Sequence, residues 1–82
     1  MTLMPTNPEL EQARQDALVA LGHRVRELRM ARSMTQQQLA DATGLHRVSI
    51  NRLEHGQLDV GVSNVKALAA ALGAQPQDLF TI

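Results

Sequence analysis

From Glu9 to Arg32 the chain has no proline and consists largely of Ala, Leu, Glu, Gln and Arg, residues that lose little freedom in a helix. Leu18, Leu21, Val25 and Leu28 recur there at three- and four-residue spacing, which places them on one face of a helix turned toward a core. Leu10, Ala13 and Ala17 carry the stripe toward the N-terminus. Covering the core is the use expected of that extension, with a subunit interface as the other. Asn7 can cap the helix, Pro8 suits its first position, and Glu9 and Glu11 sit where the helix dipole favours negative charge. The pattern predicts one long helix, or two broken at Gly22.

Ser33 and Met34 interrupt the period, and Thr35 with Gln38 then has the spacing of a capping box. The second helix so started is short, because Gly44 can take the positive φ that closes it; Leu39, Ala40 and Thr43 form its inner face. Leu45 packs at the turn. A third helix is predicted from about His46 to His55, with Ile50 and Leu53 inward and Gly56 as its stop. Ser63 is expected to cap a fourth, with Val65, Leu68, Ala69 and Leu72 on one side and Gly73 at its end. Pro76 opens a last short helix carrying Leu79 and Phe80. The expected fold is therefore all-α, with a flexible stretch over residues 1–8 and one domain over 9–82.

Composition narrows what such a domain does. At 82 residues the core is small, and a second copy would supply apolar burial that a single chain lacks. Cysteine is absent, so no disulfide framework, thiolate metal site or thiol nucleophile is available. The most apolar run, Ala67 to Ala74, falls well short of the roughly 20 residues of a membrane span. The first ten residues lack the basic and apolar regions of a secretion signal, so the expected location is the cytoplasm. Net charge is zero, yet its distribution is uneven. Between residues 17 and 58 six arginines stand against three carboxylates, which makes that stretch suited to a polyanion.

The segment TQQQLADATGLHRVSINRLEHG, residues 35–56, has the plan of a helix-turn-helix, whose second helix enters the major groove of DNA. A structural helical hairpin is the plainer alternative. More specifically, residues 21–80 resemble the Cro/C1-type (Xre) helix-turn-helix domain. The likeness is carried by the arginine of helix one, the Thr-Gln start, the glycine turn, the Glu-x-Gly end of helix three and the Leu-Gly end of helix four. GLHRVSI followed by VSNVKALAAALG is also similar to controller proteins of restriction-modification systems. The resemblance implies a compact five-helix lambda-repressor-like domain with an extended N-terminal helix, acting as a homodimer on a near-palindromic operator and regulating its own gene.

It further implies base contacts from His46, Arg47, Val48, Asn51 and Arg52, with Arg47 foremost because its planar fork fits guanine bidentately. Val48 has two readings, a thymine-methyl contact and a packing residue. Gln36, Ser49, Ser63 and Asn64 are the implied phosphate contacts, Gln36 also bracing helix three; Arg24, Arg26 and Lys66 are further candidates, each also readable as a solvated charge. Arg29 and Glu54 are implied as a partly buried ion pair joining helix one to the end of helix three. Leu79, Phe80 and Ile82, with Leu58 and Val60 nearby, are expected at a dimer interface. The relatives often have glycine where this chain has Ser33.

Other functions fare poorly. His23, His46 and His55 lack metal-ligand spacing, no cofactor motif is present, and no catalytic signature appears. Phe80 is the sole aromatic residue, which disfavours RNA binding by base stacking. The rival is an antitoxin-type protein that binds a partner toxin and DNA together, using the N-terminal helix.

Overall fold

The computed structural model describes residues 7–80. Four α-helices follow one another: α1 (Pro8–Ala31), α2 (Gln36–Thr43), α3 (Arg47–Glu54) and α4 (Val62–Ala71); a 3-10 turn, Pro76–Phe80, comes last. The description therefore differs from the expected five helices in its final element, where Asp78 Oδ2 accepts from the Gln75 backbone N–H at 2.9 Å and Pro76 opens a tighter turn. Of the stretch expected to be flexible, Asn7 and Pro8 are described. The Asn7 side chain accepts from the Glu9 N–H at 2.8 Å and Pro8 opens the helix, while residues 1–6 lie outside the description.

Helix α1 is unbroken. Gly22 lies within it, buried where α1 crosses the end of α3; a Cβ there would collide with the Leu53 carbonyl oxygen and stand 3.0 Å from the Glu54 carbonyl carbon. The glycine thus sets how closely the two helices approach. Leu21 and Val25 of α1 meet Leu39 and Ala40 of α2, Ile50 and Leu53 of α3, and Val65, Leu68 and Ala69 of α4, with Leu72 and Leu79 closing one contiguous core. Leu28, Met34, Leu45, Val60 and Ala71 pack at its margin.

The helix ends explain how short elements hold their positions. Thr35 Oγ1 accepts from the Gln38 N–H at 3.0 Å and Gln38 Oε1 accepts from the Thr35 N–H at 2.8 Å, the reciprocal box expected from the sequence. Gly44 closes α2 at φ 78°, and Thr43 Oγ1 turns back to the Leu39 carbonyl at 2.8 Å. At the end of α1 the Met34 N–H reaches the Arg29 carbonyl at 3.0 Å and the Ser33 N–H that of Met30 at 2.9 Å. These bonds place Ser33 at φ 56°, the left-handed position that usually belongs to glycine.

Three further expectations are corrected. Ser63 does not cap α4: Gly61 is the N-cap, at φ 82°, the helix begins at Val62, and no side chain caps its start. The N-terminal extension of α1 does not cover the core. Leu10 is 57% exposed and Ala13 and Ala17 lie in solvent; the connection after α3 meets this part of α1 through Gln15, which donates to the Gly56 carbonyl at 3.1 Å, and not through the apolar stripe. Leu79 is only 1% exposed, packed within the chain's own core, and so is not a surface residue of a dimer face. Its neighbour Phe80 points outward, 61% exposed, and Ile82 lies outside the described residues.

Candidate nucleic-acid interface

Helix α3 is two-sided. Ile50 and Leu53 are fully buried and Glu54 nearly so, which fixes the rotation of the helix about its axis. With 3.6 residues per turn, the opposite side then carries positions 48 and 52, with 51 toward its edge, while 47 stands in the exposed first turn. Arg47, Val48 and Arg52 are exposed, Asn51 is half-buried at the edge, and His46 stands exposed at the N-cap without capping the helix through its side chain. All five residues implied as base contacts thus fall on one end or one face of α3. At 60% exposure Val48 is not the packing residue of its second reading. Ser49 is half-buried on the flank.

Behind this face lies a polar strap across three helices. Arg29 of α1 donates from Nε to Glu54 Oε2 at 2.6 Å and from Nη2 to Oε1 at 3.0 Å, while its Nη1 donates to the Met34 carbonyl at 2.8 Å. Gln36, at the start of α2, donates from Nε2 to Glu54 Oε1 at 3.2 Å and accepts from Asn51 Nδ2 at 3.4 Å. The carboxylate is thereby bonded by both neighbouring helices, as a buried charge requires. Its hydrogen bond and charge raise the Arg29 pKa above the ordinary arginine value, against the opposing effect of burial. The family resemblance pointed to Arg29 with Glu54 and to Gln36 as a brace for the third helix; that Gln36 does so by linking Glu54 to Asn51 needs the geometry.

The remaining candidates are spread more widely. Asn64 donates its side-chain N–H to the Val60 carbonyl at 2.8 Å and so braces the loop before α4; Ser63 is exposed in the first turn of α4. Arg24 donates to the Asp78 carbonyl at 2.9 Å and pairs with Glu27 at 3.2 Å, which ties α1 to the final turn instead of leaving a free surface cation. Arg32 likewise reaches the Leu72 carbonyl at 3.2 Å. Arg26 and Lys66 are exposed. Among the described residues no group of His, Cys, Asp or Glu is arranged to hold a metal ion, and no helix is long and apolar enough to cross a membrane.

Two short helices about a left-handed glycine, the second braced from behind and polar in front, define a DNA-binding helix-turn-helix protein. The chain belongs to the helix-turn-helix domain family, which matches residues 20–80, and is a transcription regulator of the Xre, controller type. It is 41% identical over 60 residues to the control protein C.BamHI of Bacillus amyloliquefaciens, covering 72% of this chain and 74% of that one. With the control protein C.SmaI of Serratia marcescens it shares 32% over 74 residues, 90% and 88% of the two chains. Its fold matches the crystal structure of the restriction-modification controller protein C.AhdI from Aeromonas hydrophila with a TM-score of 0.75 at 43% identity, over 77% of this chain and 96% of that one.

Proposed function

We propose that the chain is a homodimeric, autoregulatory regulator that reads a near-palindromic operator with α3, working in the cytoplasm and performing no catalysis. The observation that carries this reading is the two-sided recognition helix. Its inner side is locked by Ile50, Leu53 and Glu54, while its exposed first turn and outer side offer Arg47, Val48 and Arg52 to a groove. Arg47 reads guanine, Val48 meets a thymine methyl, and His46, Asn51 and Arg52 contact neighbouring bases. Gln36, Ser49, Ser63 and Asn64 set the register on the backbone. Two such helices in a dimer would sit about 34 Å apart, one turn of DNA. Relationship to control proteins supports the regulatory part of the proposal.

The exposed apolar stripe of Leu10, Ala13 and Ala17 favours a second reading, an antitoxin-type protein whose N-terminal arm docks a partner toxin. One experiment separates the two: titration of the purified chain into the DNA upstream of its own gene and into scrambled DNA, at two salt concentrations. The regulator binds its own DNA selectively, two chains to a site. Equal, weak binding to both sequences would transfer the weight to the partner-dependent reading.

A further inference from the structure

A notch of about 240 Å³ opens between α1, the start of α2 and the end of α3, lined by Arg26, Arg29, Gln36, Asn51, Glu54 and His55. Four of these are already committed to one another: Arg29 neutralises Glu54, and the Gln36 amide bonds both Glu54 and Asn51. Arg26 has no hydrogen bond or ion pair with any described residue. The notch therefore carries one uncompensated positive charge. His55 Nδ1 lies 2.8 Å from the Asn51 carbonyl oxygen. A carbonyl only accepts, so Nδ1 bears the proton of the neutral ring and Nε2 is the nitrogen left over, a bare acceptor until a second proton makes it a charged donor.

We propose that Arg26 and His55 form an anion site that takes one backbone phosphate of duplex DNA beside the recognition helix, and that protonated His55 strengthens the contact. The proposal rests on the DNA-binding reading above. Asn51, one turn beyond Arg47 on α3, forms both the edge of the reading face and a wall of the notch, so a duplex seated on that face passes its backbone across the notch. The charged groups around His55 are Arg26 and Arg29 on α1 and Glu54 on its own helix, with uncharged Gln36 from α2. Glu54 is held by Arg29, so a phosphate arriving at the notch meets Arg26 and the His55 ring with no free carboxylate to oppose it, and only the protonated ring can donate to it from Nε2. His55 also caps the C-terminal end of α3, where the helix dipole favours a cation. Proton uptake and DNA binding are thus coupled, and affinity rises as pH falls.

A phosphate contact is indifferent to sequence, so the probe is a short labelled duplex of arbitrary sequence, followed by fluorescence anisotropy at low salt between about pH 5.5 and 8. The unsubstituted chain should tighten severalfold toward the acid end. His55→Gln should lose most of that change, leaving only what His23 and His46 contribute, and His55→Lys should bind at the alkaline end as the unsubstituted chain does at the acid end. Arg26→Gln should bind more weakly at every pH and reduce the slope of log affinity against log salt by about 1. Substituted chains that fold, by circular dichroism, and match the parent in pH and salt dependence would overturn the notch while leaving the DNA reading intact. Shifts of the His55 ring signals with inorganic phosphate, without any effect of either substitution on the duplex, would make it a free-anion site and likewise overturn the proposal. No binding of the arbitrary duplex by the parent even in acid would overturn the notch, and only failure to bind the upstream DNA as well would overturn the DNA reading with it.

Discussion

Arg29 and Glu54, 25 residues apart in sequence, meet through two parallel hydrogen bonds of 2.6 and 3.0 Å, with side chains only 11% and 2% exposed. The pair joins the last turn of α1 to the last turn of α3, so the helix proposed to enter the groove is anchored to the longest element of the fold. Removing the arginine leaves a carboxylate in the interior with only the weaker Gln36 bond. Arg29→Ala should cost roughly 3–5 kcal/mol and leave the domain largely unfolded at ambient temperature. Thermal denaturation followed by circular dichroism checks this, and an unchanged Tm would show the pair to be dispensable.

Gly22 offers a contest between two effects. In a free helix, alanine would be preferred over glycine by about 1 kcal/mol. Here the added methyl meets the Leu53 and Glu54 backbone, which cannot swing aside as a flexible side chain would. The overpacking cost of about 1–3 kcal/mol or more should win, so Gly22→Ala lowers the midpoint of urea denaturation. A rise would mean that α1 can lift away from α3 at little cost.

Ser33 points the other way. Its φ of 56° costs a side-chain-bearing residue energy that glycine does not lose, and its side chain is exposed with no hydrogen bond to give up. Ser33→Gly should therefore stabilise the chain by up to about 1 kcal/mol, partly offset by the greater freedom of glycine when unfolded. The same denaturation experiment reads it, and DNA affinity should not move.

Arg47→Ala separates binding from folding. Arg47 is exposed and makes no contact that holds the domain together, so Tm should stay within about 2 °C of the parent's. Selectivity for the upstream DNA over scrambled sequence should fall by the 1–3 kcal/mol of a bidentate guanine contact. An equal loss on both sequences would reassign Arg47 to a phosphate.

Phe80 bears the proposed subunit contact now that Leu79 is accounted for by the core. Phe80→Asp should shift the chain from dimer to monomer at micromolar concentration in analytical ultracentrifugation, with no change in helix content. A dimer that survives would place the contact elsewhere, for instance on the α1 arm.

Much of this arrangement was legible in the residues because local chemistry decided it. The Thr35–Gln38 box, the Gly44 stop and the inward set Leu39, Ile50 and Leu53 each depend on neighbours a turn away. The failures are of another kind. A repeating apolar stripe identifies the face of α1 but not whether anything lies opposite, and at Leu10 nothing described does. Leu79 and Phe80 are adjacent and both apolar; only the path of the 3-10 turn decides which enters the core. Ser63 looked like a cap because its side chain suits one, yet Gly61 bends the chain first. In the candidate interface the reading residues and the brace from Gln36 followed from the family resemblance, while the choice of Glu54 and Asn51 as its partners and the notch at Arg26 depend on how three helices cross.

The three glutamines after Thr35 look interchangeable, yet each is spent differently. Gln36 reaches α3, Gln37 donates to Asp41 at 2.8 Å along the exposed side of α2, and Gln38 turns back to the cap. Loss of one glutamine codon by an in-frame slip would leave composition almost untouched and every residue type still present. It would nevertheless turn everything downstream in α2 by about 100° about the helix axis relative to Thr35, carrying Leu39 and Ala40 off the core. Reading frame survives such a slip, but the fold's register does not, so the repeat count of this polar tract is under a tighter constraint than any single glutamine within it.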